Sequence, residues 1–377
     1  MRKILSIFGT RPEAIKMAPV VRELERWSDR FESRVCVTAQ HREMLDQALQ
    51  LFGIEADYDL DLMVKGQTLP GLTGAILSGL EPVLRDFQPD CVLVHGDTST
   101  TFAAALAAFY AGAQVGHVEA GLRTSNLLAP WPEEANRRLT SVLTQFHFAP
   151  TEHARQNLLA ESVVESTITV TGNTVIDALL STVAKLDGDA ALGRSMADRF
   201  NYLNPAKRLI LVTGHRRESF GESFRALCHN LKQIAETHDD VQIVYPVHLN
   251  PQVREPAHAI LSGVKGVFLI EPQEYLPFVY LMCRCDIIIT DSGGIQEEAP
   301  SLGKPVLVTR DTTERPEAVA AGTVTIVGTK GDILVGRVSE LLRDTNRGSG
   351  ERRANPYGDG QAAQRIVRAL DQSLVGR

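Results

Sequence analysis

The chain has 377 residues, of which 44% are hydrophobic and 23% charged, and it carries 39 basic against 46 acidic residues for a net charge of −7. That length exceeds one typical domain and is comfortable for two, each with its own core. The acidic balance argues against a nucleic-acid partner held by bulk charge. Any phosphate must therefore be held by a few well-placed basic side chains and backbone N–H groups.

Neither a secretory leader nor a membrane span is expected. The first apolar run ends at Gly9, too early for the core of a signal peptide. The longest run of small and apolar residues, 102–113, is far shorter than a membrane-spanning helix. The five cysteines lie mostly in apolar segments and show no CxxC spacing, which predicts buried, reduced thiols in a cytoplasmic protein.

Short β-rich runs alternate with amphipathic segments through nearly the whole chain. In the first half, strands are predicted at residues 4–8, 34–38, 91–95, 114–117, 147–149 and 167–170. Helices are predicted between them at residues 14–27, 43–51, 72–87 and 100–111. The second half restarts the pattern, with strands predicted at residues 209–213, 242–246, 267–270, 286–290, 305–308 and 324–327. This alternation predicts an α/β protein whose parallel sheets are covered by helices on both faces.

Two such sets predict two doubly wound, Rossmann-like domains that face a central cleft. We expect an N-terminal domain at residues 1–171, a C-terminal domain at 172–360, and a last helix within 361–377 that can pack on either domain, with a return to the N-terminal domain as one option. Ligands of such sheets bind beyond the carboxyl ends of the strands. The cleft is therefore the expected active site.

The strongest local signal is a glycine pair between a strand and a helix, in the stretch "DSGGIQEE" at residues 291–298. Glycines at such a junction allow backbone N–H groups to face an anion. The stretch matches neither the dinucleotide-binding nor the P-loop pattern. It indicates a phosphate-bearing ligand of another class.

Carboxylates follow the predicted strands of the first half. Asp97 comes after one strand in "HGDTSTT", Glu119 after the next in "HVEAGLRT", and Glu133 and Glu134 begin a helix in "PWPEEANRR". Basic residues gather at the strand ends of the second half, as in "GHRRESFG". This division suits a nucleotide held by one domain and acid–base chemistry delivered from the other. A single acidic residue at a strand end is more often a turn or cap residue, so the hypothesis depends on several of them acting together.

Taken together, these motifs resemble one family. The matching stretches include "FGTRPEAIKMAP", "VTAQHREMLDQ", "VHGDTSTT", "GHVEAGLRT", "PWPEEANRR", "VTGHRRESFG" and "DSGGIQEEAPSLGKPVL". They run from Phe8 to Ala318 in the order and spacing shown by the bacterial non-hydrolysing UDP-N-acetylglucosamine 2-epimerases, which have the two-domain GT-B fold. The resemblance covers essentially the whole chain.

The resemblance implies reversible epimerisation of UDP-N-acetylglucosamine (UDP-GlcNAc) to UDP-N-acetylmannosamine (UDP-ManNAc), with no cofactor and no metal. UDP would leave to give a 2-acetamidoglucal and then add back. The implied catalytic residues are Asp97, Glu119, Glu133 and His215. The implied contacts to the UDP-sugar are Arg11, Lys16, Asp97, Glu119, His215, Gln273, Phe278, Ser292, Gly293, Gly294, Glu298 and Arg315.

The resemblance also implies a homodimer that feeds surface polysaccharide synthesis and is activated by its own substrate. A second substrate site would use Gln40, His41, Gln67 and His248. The alternative is that these four residues only shape the domain interface.

Other functions remain open at this stage. A related epimerase acting on a UDP-diacetamido-uronic acid would share the same motifs, because the pocket for carbon 6 of the sugar cannot be read from them. A GT-B glycosyltransferase would share the UDP grip but would need an acceptor pocket. A silent nucleotide-sugar sensor is disfavoured, because it has no use for three carboxylates facing a sugar.

Overall fold

The computed structural model describes residues 1–38, 42–62, 64, 66–214, 216, 220–313, 315–328, 332–343 and 354–374. The chain divides into two compact units. The first unit comprises Met1–Ala178 and Tyr357–Arg377, and the second unit comprises Leu179–Pro356.

The first unit is built on a parallel sheet. Its strands are β1 (Arg2–Phe8), β2 (Phe31–Val37), β3 (Tyr58–Asp59), β4 (Cys91–His95), β5 (Gln114–Val118), β6 (Phe146–Ala149) and β7 (Ile168–Val170). They are ordered β3-β2-β1-β4-β5-β6-β7, and each neighbouring pair is parallel. Every residue of β4 is buried, as expected for a strand that helices cover on both faces.

Helices alternate with these strands. They are α1 (Arg11–Arg26), α2 (Arg42–Phe52), α3 (Leu69–Phe87), α4 (Ser99–Tyr110), α5 (Glu133–Leu143), α6 (Glu152–Ala160) and α7 (Thr174–Gly188), the last of which crosses into the second unit. Leu5, Ile76, Val94 and Ala104, contributed by β1, α3, β4 and α4, are fully buried in one apolar core. Burial of these side chains holds the helices against the sheet.

The second unit repeats the plan. Its strands are β8 (Arg208–Thr213), β9 (Val241–Pro246), β10 (Val267–Ile270), β11 (Ile287–Thr290), β12 (Val306–Val308) and β13 (Val324–Ile326). Its helices are α8 (Ala190–Arg199), α9 (Glu222–Thr237), α10 (Pro251–Leu261), α11 (Tyr275–Arg284), α12 (Gly293–Glu298), α13 (Pro316–Ala320) and α14 (Asp332–Arg343). The strands are ordered β10-β9-β8-β11-β12-β13 and pair in parallel. None of the described helices combines the length and the apolar character that a membrane crossing requires.

The last helix, α15 (Ala362–Ser373), belongs to the first unit. The Asp177 carboxylate in α7 accepts hydrogen bonds from the N–H groups of Ala362 (3.2 Å) and Ala363 (2.9 Å), which lie in the first turn of α15. Burial raises the pKa of Asp177 to about 6, although these hydrogen bonds oppose the rise. Farther along α15, Asp371 pairs with Arg2 at 3.1 Å.

Both sheets are doubly wound, as the sequence predicts. In each, the chain moves outward over three strands and then crosses back to extend the other side, which is the Rossmann order. Strand β3 was not predicted, because it is a two-residue edge strand paired with Cys36 and Val37 and has no repeating pattern of its own. Strand β1 begins at Arg2, two residues before the apolar run, because Arg2 and Lys3 also pair with β2.

Candidate functional site

In the first unit, the strand order reverses between β1 and β4. The loops that follow these strands meet at the carboxyl edge of the sheet, which is where open parallel sheets bind ligands. Helix α1 begins at Arg11 after a two-residue turn, and α4 begins at Ser99 after residues 96–98. The candidate carboxylates lie after β4, after β5 and at the start of α5.

Glu13, in the first turn of α1, joins the two loops. Its buried carboxylate accepts hydrogen bonds from the backbone N–H groups of Gly9 (3.1 Å) and Thr10 (2.8 Å). It also accepts from the hydroxyls of Thr98 (2.7 Å) and Thr101 (3.2 Å). Burial raises the pKa of Glu13, whereas the hydrogen bonds from Thr98, Thr10 and Gly9 act against that rise. Glu13 thus fixes the turn after β1 against the turn after β4.

Asp97 lies in the turn between β4 and α4, with 29% of its side chain exposed. Its Oδ2 is paired with the guanidinium group of Arg137 on α5. Its backbone carbonyl accepts a hydrogen bond of 2.9 Å from Nδ2 of Asn136, also on α5. Its Oδ1 accepts no hydrogen bond from the described residues. One carboxylate oxygen is therefore clamped and the other is left for a ligand.

Glu119, directly after β5, has a left-handed backbone conformation with φ of +65°. For a residue other than glycine, such a conformation costs on the order of 1–3 kcal/mol and is concentrated at functional sites. Its Oε2 is paired with Nζ of Lys16 and accepts a hydrogen bond of 2.8 Å from Nδ2 of Asn173. Lys16, predicted from the sequence to contact the substrate, is here the cation beside this carboxylate.

His95, the last residue of β4, lies beside Glu119. Its Nε2 is 3.8 Å from Oε2 of Glu119, and neither ring nitrogen has a hydrogen-bond partner among the described residues. Burial lowers the pKa of His95 from 6.5 to about 4; the charges of Glu119 and Asp97 oppose this change and that of Lys16 adds to it. The ring is therefore neutral at pH 7.

Glu133 and Glu134 begin α5 but lie in opposite environments. Glu134 is fully buried and accepts hydrogen bonds from the N–H groups of Thr124 (3.1 Å) and Ser125 (3.2 Å), so its role is to hold the loop before α5. Glu133 has a buried oxygen, Oε2, that accepts no hydrogen bond from the described residues. Because desolvated carboxylate oxygens are normally paired, this one is a candidate to contact a ligand.

In the second unit, the strand order reverses between β8 and β11, and the predicted glycine pair follows β11. Ser292 precedes α12 and makes no capping hydrogen bond with its side chain. A Cβ atom added to Gly293 would lie 3.6 Å from Nη2 of Arg315 and 3.8 Å from Nη2 of Arg216. Two guanidinium groups thus approach the backbone of Gly293.

The acidic residues of α12 hold other parts of this region. Glu297 is almost fully buried and pairs with Nε of Arg315. Glu298 accepts a hydrogen bond of 2.7 Å from the hydroxyl of Tyr275. Burial raises the pKa of Tyr275 well above its ordinary value, so the hydroxyl remains a donor at neutral pH.

The remaining predicted residues in the described part of the chain lie at or near the starts of helices α1, α3 and α11, except for His248. Arg11 is the half-buried first residue of α1. Oε1 of Gln273 accepts a hydrogen bond of 2.9 Å from Arg199, and Phe278 is a half-buried residue of α11. Gln67 is half-buried just before α3, in the first unit. Three predicted residues lie outside the described part of the chain: Gln40, His41 and His215.

His248, the last member of the predicted second substrate site, is exposed in the second unit, after β9. Its Nδ1 accepts a hydrogen bond of 3.1 Å from the N–H of Asn250.

Several residues of the site were not predicted. Arg137 and Asn173 hold Asp97 and Glu119, respectively, but no local pattern marks them, because each partner is more than 35 residues away in the chain. Arg216 stands in the basic run after β8, which is equally typical of a surface ion pair. Its backbone N–H donates to Oδ2 of Asp291 at 2.8 Å, which joins the loops after β8 and β11.

The chain is similar in sequence to the members of one protein family. The family model described as UDP-N-acetylglucosamine 2-epimerase matches residues 22–371. The chain is 61% identical over 374 residues to the UDP-N-acetylglucosamine 2-epimerase of Escherichia coli (strain K12), and the match covers 99% of each chain.

Solved structures agree with the sequence match. The crystal structure of UDP-GlcNAc 2-epimerase from Neisseria meningitidis, bound to UDP-GlcNAc, superposes with a TM-score of 0.90 at 55% identity and covers 98% of this chain and 100% of that chain. A glycosyltransferase from Rickettsia africae superposes with a TM-score of 0.65 over 100% of this chain and 99% of that chain. At 12% identity, the second likeness speaks for a shared fold alone.

Proposed function

The chain belongs to the UDP-N-acetylglucosamine 2-epimerase family, and on that premise we propose that it interconverts UDP-GlcNAc and UDP-ManNAc. The reaction inverts carbon 2 of the sugar and so needs groups that remove and deliver a proton. The observation that carries the proposal is the set of carboxylates after the strands and at the start of α5 in the first unit. Glu119 has a strained backbone beside Lys16, and Asp97 and Glu133 each have one oxygen that accepts no hydrogen bond from the described residues.

The proposed chemistry proceeds by elimination and re-addition. The proton on carbon 2 is not next to a carbonyl and is too weakly acidic for direct removal. Departure of UDP with the electrons of the carbon 1–oxygen bond makes carbon 1 oxocarbenium-like, and loss of the carbon 2 proton then forms the double bond of 2-acetamidoglucal. UDP adds back to carbon 1 while carbon 2 receives a proton on the opposite face. No carbon is oxidised overall.

Proton transfer on both faces of the sugar requires more than one acid–base group. We assign these transfers to Asp97, Glu119 and Glu133, and we assign assistance of UDP departure to His215. The ion pair with Lys16 and the hydrogen bond from Asn173 hold the Glu119 carboxylate in place for this role.

We propose that the second unit binds UDP. The N–H groups at Ser292, Gly293 and Gly294 would face the diphosphate, and Arg216 and Arg315 would neutralise it, as supported by the approach of both guanidinium groups to Gly293. By the family resemblance, Glu298 would take the ribose hydroxyls, and the loop and helix carrying Gln273 and Phe278 would take uracil. Arg11 would add charge from the first unit.

We further propose a homodimer formed through the outer face of α4 and α5. The face is defined by Phe109, Tyr110, Leu139 and Val142, whose exposed fractions are 53%, 73%, 49% and 82%. Helix α4 contains no charged residue in its twelve positions. Two copies of α4 can therefore meet without charge repulsion, which suits a two-fold interface.

Regulation, pathway and compartment follow from the family resemblance. We propose that the substrate activates the protein through a second site using Gln67 and His248, together with Gln40 and His41. We also propose that the product supplies activated N-acetylmannosamine for surface polysaccharides. The five unpaired thiols support a reducing, cytoplasmic compartment.

Proton NMR of the protein with UDP-GlcNAc in deuterated water tests the reaction. We expect growing manno signals and incorporation of deuterium at carbon 2. Asp97→Asn, Glu119→Gln and Glu133→Gln should each lower turnover by about 10²–10⁴-fold while UDP still binds. A glycosyltransferase would leave the sugar configuration intact, and this result would reject the proposal. Wild-type turnover in all three variants would remove these carboxylates from the mechanism.

A further inference from the structure

Arg137 occupies a particular place beside Asp97. Its side chain is about 90% buried and reaches two carboxylates, one in the turn after β4 and one in α5. One Nη atom is paired with Oδ2 of Asp97, and the other lies 3.2 Å from Oε2 of Glu134. Glu134 in turn holds the N–H groups of Thr124 and Ser125. Arg137 therefore connects the turn carrying Asp97 to the loop before α5.

The contact with Asp97 is reinforced by the preceding residue. Asn136 donates from Nδ2 to the backbone carbonyl of Asp97 at 2.9 Å. Two consecutive residues of α5 thus fix both the backbone and the carboxylate of Asp97. The other oxygen, Oδ1, accepts no hydrogen bond from the described residues and is the one that can meet a proton on the sugar.

Fixing one oxygen by a buried cation limits rotation of the Asp97 carboxylate, because a planar guanidinium group holds an acceptor in a defined direction. This effect does not require Arg137 to touch the substrate.

We propose that Arg137 is a positioning residue of the reaction, acting through Asp97 by holding Oδ2 so that Oδ1 alone is presented to the sugar. This role rests on the proposed function, because it assumes that Asp97 transfers a proton. Asn136 contributes to the same task through the backbone of Asp97.

The neighbouring residue provides a matched control. Arg138 lies next in α5 and also pairs with a carboxylate, but its side chain is 44% exposed and its partner, Glu161, is part of neither loop. Arg137→Met and Arg138→Met therefore remove the same charge from the same helix, and only the first removes the contact with Asp97.

Steady-state kinetics of these variants test the proposal. We expect Arg137→Met to lower kcat by about 100-fold or more with KM within about threefold of the wild type, because misorientation of a reacting group costs turnover rather than binding. Arg137→Lys keeps the cation and should recover about tenfold of that loss. Arg138→Met should match the wild type.

A double variant tests whether Arg137 affects turnover through Asp97. In the Asp97→Asn background, Arg137→Met should cause no further loss of kcat, because the residue through which it acts is already gone. An equal further loss there, or a folded Arg137→Met variant with wild-type kcat, would overturn the positioning role.

Separate controls test whether the variants fold and whether the wild-type protein catalyses epimerisation. If Arg137→Met does not fold, as judged by circular dichroism, Arg137→Lys in the Asp97→Asn background takes its place: no additional loss supports the role and an additional loss overturns it. A wild-type protein that gives no manno product contradicts the proposed epimerisation. An active wild type with an unaffected Arg137→Met variant contradicts only the role of Arg137.

Discussion

Glu13 shows how a single side chain organises the turns around the candidate site. It is only 2% exposed, yet it is a carboxylate with donors from the turn after β1 and the turn before α4. Hydrogen bonds to a charged group contribute about 1.5–3 kcal/mol each to the stability of the fold. A buried donor that loses its acceptor costs the full desolvation penalty of that donor. Asp97 lies directly before Thr98, one of these donors, so the same side chain also steadies the candidate acid–base residue.

Replacing Glu13 by alanine should therefore be costly. We expect Glu13→Ala to lower the free energy of unfolding by about 3–5 kcal/mol, measured by urea denaturation, because several buried donors lose their partner at once. Glu25→Ala is the matched control on the same helix, since Glu25 pairs with Arg22 at the surface and should change stability by less than about 1 kcal/mol. A loss below about 1 kcal/mol for Glu13→Ala would show that the two turns are held by other contacts.

At the scale of elements, α4 and α5 leave large apolar side chains uncovered. Phe109 and Tyr110 end α4, and their rings lie with centroids 6.3 Å apart. Leu139 and Val142 are one turn apart on α5, which packs against α4. Exposed apolar groups that cluster in this way are typical of an interface rather than of free surface.

A charge placed on this face should prevent dimer formation. We expect Val142→Glu to sediment as a monomer where the wild type sediments as a dimer, because two buried like charges would face each other across a two-fold interface. Val164→Glu is the matched control, since Val164 is a 65% exposed valine of the same unit away from these helices. A dimeric Val142→Glu variant, or a monomeric wild type, would contradict the proposed interface.

The elements also show what a sequence can and cannot predict. Strand β4 was predicted with its observed limits because a continuous apolar run, Cys91–Val94, stands between Asp90 and the polar stretch that begins at His95. The pairing of Asp97 with Arg137 was not predicted, because it depends on how α5 packs beside β4 rather than on any local spacing. Asn173 reaches Glu119 across 54 positions of the chain for the same reason. Motifs therefore identify the residues at strand ends, whereas their partners emerge only from packing.

At the scale of the whole molecule, buried histidines make stability depend on pH. Burial lowers the pKa of His95 to about 4 and that of His117 to about 3, and it also lowers the pKa of His147. In the unfolded chain each titrates near 6.5. Below pH 6.5 the unfolded state takes up protons that the folded state does not, so stability falls as the pH drops towards 4. Asp177, with its pKa raised to about 6, acts in the opposite direction below pH 6.

The contribution of one histidine, His117, to this pH dependence can be measured separately from the others. We expect His117→Gln to make the fall in unfolding free energy shallower by about 1.4 kcal/mol per pH unit between pH 6 and 4, because one proton fewer is taken up on unfolding. Glutamine can still donate to the carbonyl of Gly96, which lies 2.7 Å from Nε2 of His117. Denaturation at several pH values measures the slope, and the exposed His153→Gln serves as the control. An unchanged slope for His117→Gln would mean that His117 titrates alike in both states.

The tie between Asp177 and the start of α15 has a consequence for biosynthesis. The first unit is interrupted by the second, and it is finished by residues that leave the ribosome only after all of Leu179–Pro356 has been made. The partners of Asp177, the N–H groups of Ala362 and Ala363, are synthesised after the second unit, and so is Asp371, the partner of Arg2. The strands β1–β7 of the first unit are thus made before the second unit, whereas its last helix, α15, is made after it.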